Sequence, residues 1–184
     1  MDTQVSVPPP GFLPILGDTI KTSKPFIAAV NGFAFASAWL LAQMCDLCVA
    51  SSSASFATTE AKVGRGMPWA APLIHMLPQR IMMELLLPGE PITAQRAFDI
   101  GFINRVLAPV PLLGTAVDMA QRIAGNAPLT VRAAKELVRI STEAGASPAR
   151  RHANHLFEPV YRSRDAQEGP RAFREKRAPR WEGR

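Results

Sequence analysis

The first segment with a regular apolar pattern is Phe26-Ile27-Ala28-Ala29-Val30, a continuous run of strand length closed by Asn31-Gly32. A run without polar alternation suits a strand covered on both faces. From Ser37 to Cys45 the chain is apolar on every side, with Trp39, Leu40, Leu41 and Met44, and this predicts a fully buried helix. Asp46 separates that helix from a second strand-like run, Leu47-Cys48-Val49-Ala50. Strand, buried helix and strand form a βαβ-like unit, and Ser51-Ser52-Ser53 marks its turn.

Downstream the spacing becomes helical. Pro78 opens a helix with the stripe Ile81, Met82, Leu85 and Leu86, and Thr93 is placed to cap another that ends near Gly101. Ile103 to Leu107 predicts a short final strand. Three helices follow: Thr115 to Ala124, Pro128 to about Thr142, and about Ala149 to Tyr161. In the second of these, Pro128 sits in the first turn and Leu129, Leu137, Val138 and Ile140 are expected to face a core. Asp165 and Glu168 have the spacing of a capping box, and Pro170 is expected to start a last short helix running to Lys176. Residues 1–17 are proline-rich and read as an irregular arm with room for one helical turn.

A length of 184 residues suits one domain with a real core. With 47% hydrophobic and 20% charged residues, the balance is that of a globular chain and excludes a disordered one. The net charge of +6 is concentrated near the carboxyl end, from Arg150 to Arg184, and calls for an anionic partner. Glu158, Asp165, Glu168, Glu175 and Glu182 interleave with those bases and no nucleic-acid-binding motif is present, so a phosphorylated small molecule is expected and nucleic acid is not.

Cys45 and Cys48 form a lone C-x-x-C, open to a redox or zinc reading and to that of free thiols acting as small buried hydrophobes. His152 and His155 have no companions to complete a metal site, so no metal is expected. The start, with Pro8-Pro9-Pro10, has neither the basic nor the apolar region of a secretory leader, and the richest apolar run, Phe33 to Met44, is too short to span a bilayer. A cytoplasmic protein without a membrane partner is the expectation.

The chemistry concentrates in Lys24-Pro25-Phe26-Ile27-Ala28-Ala29-Val30-Asn31-Gly32 and the small residues that lead into the apolar helix. A tight turn from a buried strand into a buried helix aims free N–H groups at one point. Donors so placed stabilise an oxyanion, and losing one costs about 3 to 4 kcal/mol. An ordinary strand-to-helix packing unit has the same pattern.

This segment, ending in Cys45-Asp46, resembles the signature of the crotonase superfamily, the enoyl-CoA hydratase/isomerase family. Phe56-Ala57-Thr58-Thr59-Glu60-Ala61-Lys62-Val63-Gly64 resembles the family's Phe-x-x-x-Glu-x-x-x-Gly. Gly89-Glu90-Pro91-Ile92-Thr93-Ala94-Gln95-Arg96-Ala97, leading to Gly101-Phe102-Ile103-Asn104-Arg105-Val106, resembles the next turn of its spiral. Ser163-x-Asp165-x-x-Glu168-Gly169-x-x-Ala172-Phe173-x-Glu175-Lys176-Arg177 resembles its carboxyl-terminal motif.

The resemblance implies an α/β fold: a crotonase-like ββα spiral, incomplete at its amino end, with a helical carboxyl-terminal segment. It divides the chain into an irregular arm at 1–23, a partial spiral core at 24–110, and a helical region at 111–184 that builds a trimer and contacts CoA. It places the oxyanion-hole donor at the backbone N–H of Ser37, within Ala36-Ser37-Ala38, where the family usually has glycines. Of the two glutamates that family hydratases use, the first falls at Leu40, which cannot carry a proton, and the second at Glu60. Without the resemblance, Glu60 would read as a loop acid paired with Lys62 or Arg65.

Where the family has glycine-rich Pro-Gly-x-Gly-Gly, this chain has Gly64-Arg65-Gly66-Met67-Pro68-Trp69-Ala70-Ala71-Pro72, so Pro68 and Trp69 are expected beside the acyl group, with core packing as the alternative. Phe157, Phe173 and Lys176 match positions that hold CoA, often from a neighbouring subunit. The implied ligand is a CoA thioester as substrate with no separate cofactor, and the implied assembly is a homotrimer or hexamer. Double-bond isomerisation and hydration stand equal. The alternative is a degenerate member that binds acyl-CoA, or joins complete subunits, without turnover.

Overall fold

A computed structural model describes residues 7, 9 and 11–184. The remaining residues of the proline-rich arm lie outside the described set. The first elements alternate between two small sheets. They are β1 (Ile27–Val30), β2 (Phe33–Phe35), α1 (Ser37–Met44), β3 (Leu47–Ser51) and β4 (Ser55–Ala57). Two 3₁₀ segments, Thr59–Val63 and Pro68–His75, lead to α2 (Gln79–Leu86), β5 (Ile92–Thr93), α3 (Ala94–Asp99) and β6 (Arg105–Leu107). The chain closes with α4 (Leu112–Ala124), α5 (Pro128–Ala144), α6 (Ala146–Arg162) and α7 (Asp165–Arg174).

One sheet has the order β1-β3-β6, all parallel, and the other β2-β4-β5, with β2 and β4 parallel and β5 antiparallel. The βαβ-like unit is present, since β1 and β3 pair in parallel from Ile27 opposite Leu47 to Val30 opposite Ala50. Between β1 and α1 the chain also supplies β2 to the second sheet, so this turn is ββα. The core between these layers is centred on Trp39, Phe56 and Phe102, whose rings sit 5.3 to 5.7 Å apart in tilted or edge-on contact.

Two motif residues hold this frame together. A carboxylate oxygen of Asp46 accepts from the Phe26 N–H at 2.7 Å and from Lys135 Nζ at 2.8 Å, tying β1 to α5. Lys135 also donates to the Lys24 carbonyl at 2.9 Å and lies 5.5 Å from the centre of the Phe26 ring. Asn104 extends the pairing of β3 with β6: its side-chain oxygen accepts from Cys48 N–H at 2.8 Å and its own N–H donates to the Cys48 carbonyl at 2.7 Å. Cys45 and Cys48 are free thiols, and burial pushes the Cys48 thiol up to about 12.

The stripe of α2 and the cap of α3 are as expected. Met82 and Leu85 are buried, and the Thr93 hydroxyl accepts from the Arg96 N–H at 3.1 Å. Four expectations are corrected. First, α1 is buried on one face only, with Ser37, Ala38 and Leu41 exposed, because among the described residues no element covers that side. Second, Val138 on α5 is 67% exposed, and the position that seals that helix is Ala133.

Third, Asp165 and Glu168 do not form a capping box. Their carboxylates hold the tail: Asp165 accepts from the N–H groups of Glu182 and Gly183, and Glu168 takes both the Arg177 guanidinium and the Arg180 N–H. Fourth, Pro170 lies inside α7 and does not start it.

Among the described residues, no helix is long and apolar enough to cross a membrane.

Candidate functional site

The register of β2 against β4 brings the two sequence-predicted catalytic groups to one end of one sheet. Phe35 lies opposite Ala57, and beyond that pair the Ala36 N–H donates to the Ala57 carbonyl at 3.1 Å. Ala36 then turns sharply, at φ 51 and ψ −120, and α1 starts at Ser37. The first hydrogen bond inside the helix runs from Leu40 N–H to the Ala36 carbonyl, so the amides of Ser37, Ala38 and Trp39 precede it. On the neighbouring strand, β4 runs through buried Thr58 into the 3₁₀ turn that carries Glu60.

Glu60 is only 6% exposed. Its Oε1 accepts from the indole Nε1–H of Trp69 at 3.1 Å, and its Oε2 is buried without a hydrogen-bond partner among the described residues. Lys62 does not pair with it, donating instead to Glu90 at 2.7 Å, and Arg65 meets it only through its backbone N–H, which donates to the Glu60 carbonyl at 2.9 Å. From α1, Gln43 Nε2 donates to the Trp69 carbonyl at 2.5 Å. Gln43 Oε1 and Trp39 Nε1 are also buried and unpartnered among the described residues. The three side chains are linked, since Trp39 and Gln43 stand one turn apart on α1 and Gln43 and Glu60 both bond to Trp69.

Leu40, at the position of the family's first glutamate, is buried, so the site holds one carboxylate. Pro68 is exposed at the start of the second 3₁₀ segment and Trp69 is half-buried. Phe157 is half-buried on α6, while Phe173 is 85% exposed near the end of α7 and Lys176 is exposed just after it. Of their helices, α6 packs on α5 and α7 packs on α6.

Three prominent clefts, of about 270, 360 and 580 Å³, lie between residues 24–27 and α4 and α5, between residues 22–23 and α5 and α6, and between α7 and the tail, and neither Ser37 nor Glu60 lines any of the three. At the amino end of α1, Ser37 and Ala38 are exposed, and Phe33 at the start of β2 is 81% exposed. Gln43 was not among the residues singled out from sequence. The signal for it was a lone amide side chain inside an otherwise apolar helix.

A family model described as enoyl-CoA hydratase/isomerase matches residues 7–184. The chain belongs to the enoyl-CoA hydratase/isomerase family. It is 39% identical over 176 residues to the carnitinyl-CoA dehydratase of Proteus mirabilis, a match covering 92% of this chain and 67% of that protein. Among solved structures it is similar to an enoyl-CoA hydratase from Mycobacterium tuberculosis H37Rv, with a TM-score of 0.85 and 35% identity over 90% of this chain and 67% of that one. An enoyl-CoA hydratase/isomerase from Mycobacterium paratuberculosis also gives a TM-score of 0.85, at 32% identity over 89% of this chain and 66% of that one. The α/β crotonase-type fold implied by the four motifs is therefore the fold of this family member.

Proposed function

We propose that this protein processes a CoA thioester, stabilising the enolate oxygen at the amino end of α1 and moving a proton through Glu60. The observation that carries the reading is a buried carboxylate with one oxygen unpartnered among the described residues, in the 3₁₀ turn that follows β4, the strand paired with the one that opens α1. When a proton leaves the thioester's α-carbon, or an addition occurs at the β-carbon, negative charge gathers on the carbonyl oxygen. The Ser37 N–H, ahead of the first intrahelical bond, is the donor assigned to it. Glu60 then takes the α-proton or returns one.

With Leu40 in place of a second carboxylate, double-bond isomerisation needs no further group, because one base can shuttle one proton between two carbons. Water addition needs an acid and a base, which a single carboxylate supplies only in sequence. Ala36, Ala38, Leu40, Pro68 and Trp69 are assigned to the acyl side. Phe157, Phe173 and Lys176 are assigned to CoA, delivered from a neighbouring copy in a homotrimer or hexamer. The test is turnover of short enoyl-CoA thioesters by wild type and Glu60→Gln. A drop of about 100-fold or more in kcat is expected, and equal rates would remove Glu60 from the reaction.

A second reading, binding of acyl-CoA or assembly with complete subunits without turnover, is favoured by the exposure of Ser37 and Ala38 and by the absence of Ser37 and Glu60 from the prominent clefts. Calorimetric binding of an acyl-CoA by a protein that gives no turnover would select it.

A further inference from the structure

Trp69 stands in a stretch where the family pattern has glycines, and glycines supply no side-chain donor. Its indole N–H reaches Glu60 Oε1 at 3.1 Å, and its carbonyl is held by Gln43 Nε2 at 2.5 Å, one turn along α1 from Trp39. A single tryptophan therefore bonds at once to the carboxylate and to the helix whose first amides are assigned to the oxyanion.

We infer that Trp69 is a positioning residue for Glu60: its indole N–H occupies Oε1, so that Oε2 alone exchanges a proton with substrate, and Gln43 locks this arrangement to α1. An indole N–H is a donor only. Because a carbonyl oxygen accepts better than a hydroxyl oxygen, the indole favours Oε1 as the carbonyl oxygen of the protonated carboxyl group and places the proton on Oε2, the oxygen without a partner among the described residues. A phenylalanine would fill the same space without making this choice. The bond to an ionised carboxylate is of the stronger, charge-assisted kind, which suits it to fixing an orientation. The inference rests on the proposed role of Glu60 and is tested so that the two fail separately.

The protein's three indoles provide the measurement. Trp69 donates to a carboxylate, Trp181 donates to the Gly125 carbonyl at 2.7 Å, and Trp39 has no acceptor among the described residues. In a ¹⁵N-correlated spectrum of the full chain, the Trp69 indole resonance, identified by its loss in Trp69→Phe, is expected to move upfield in Glu60→Gln while that of Trp181 stays in place. It is also expected to move in Gln43→Met. In turnover, Trp69→Phe is expected to lower kcat roughly 10- to 100-fold, the loss expected of a displaced catalytic group.

An unmoved Trp69 resonance in a folded Glu60→Gln protein overturns the inference. So does a wild-type kcat in Trp69→Phe when Glu60→Gln is inactive. An unmoved resonance in Gln43→Met removes the lock to α1. If the wild type itself turns over no enoyl-CoA, the proposed function fails, and the spectrum alone decides whether Trp69 sets the carboxylate.

Discussion

The N–H of Ala36 donates to the carbonyl of Ala57 at 3.1 Å, the last rung between β2 and β4 before both chains leave the sheet. One chain goes directly into α1 and the other into the 3₁₀ turn of Glu60. Both departures are short, so the amide of Ser37 and the carboxylate of Glu60 inherit their placement from a paired sheet end.

The abruptness of the first departure has an energetic signature. Ala36 holds φ at 51, a region that disfavours any residue with a Cβ. Ala36→Gly should raise stability to chemical denaturation by about 1 kcal/mol, the strain relieved less the extra freedom of the unfolded chain. A lower denaturation midpoint in the variant would show that the turn is not under strain.

The turn of Glu60 leans on a glycine. A Cβ on Gly89, which has φ 66, would stand 3.1 Å from the Thr58 carbonyl oxygen and 3.3 Å from Lys62 Cγ. Gly89→Ala is expected to cost about 1 to 3 kcal/mol. Because Thr58 and Lys62 flank Glu60, turnover should fall as well. Thermal melts and enoyl-CoA assays on the same preparation check both.

Sequence carried the frame better than the attachments. β1 and β3 were legible because both are continuous apolar runs. β2 and β4 were not, since three residues apiece give no period to read. The pair Asp165 and Glu168 has the spacing of a local cap, yet its partners are tail amides and Arg177, far along the chain. Glu60 was found through its motif, whereas the bond that orients it comes from Trp69, which sequence reading placed against the acyl group. Spacing along the chain holds no record of contacts made across the fold.

Asp46 gives a third prediction. Asp46→Ala removes acceptors for the Phe26 N–H and for Lys135 together, and should cost about 1 to 3 kcal/mol. Lys135→Met leaves the Phe26 bond and should cost less. The coupling between the two sites, read from a double-mutant cycle of denaturation midpoints, is expected to be about 0.5 to 1 kcal/mol, and strict additivity would disprove the clamp.

The tail should respond to acid. Hydrogen bonds from the Arg177 side chain and then from the Arg180 N–H hold Glu168 down at about 2, against an ordinary value of 4.5. A carboxyl group depressed on folding contributes fully above its unfolded value and loses that contribution as pH falls through the folded one. Docking of the tail should therefore weaken from about pH 4.5 toward about pH 2. Trp181, whose indole N–H bonds to the Gly125 carbonyl, is the fluorescent reporter, and emission that stays constant over that window would count against the anchor.

β1 and β2 each have a single neighbour among the described residues, and they are joined only by Asn31 and Gly32. Their free ladders thus belong to different sheets while being consecutive in the chain. A polypeptide that completed this side would need two short extended stretches with a bend between them, following the path of β1 and β2. A straight strand would satisfy one ladder and leave the other wet, and a helix would satisfy neither. The shape of whatever can close the amino end of α1 is in this way already written in the backbone beside it.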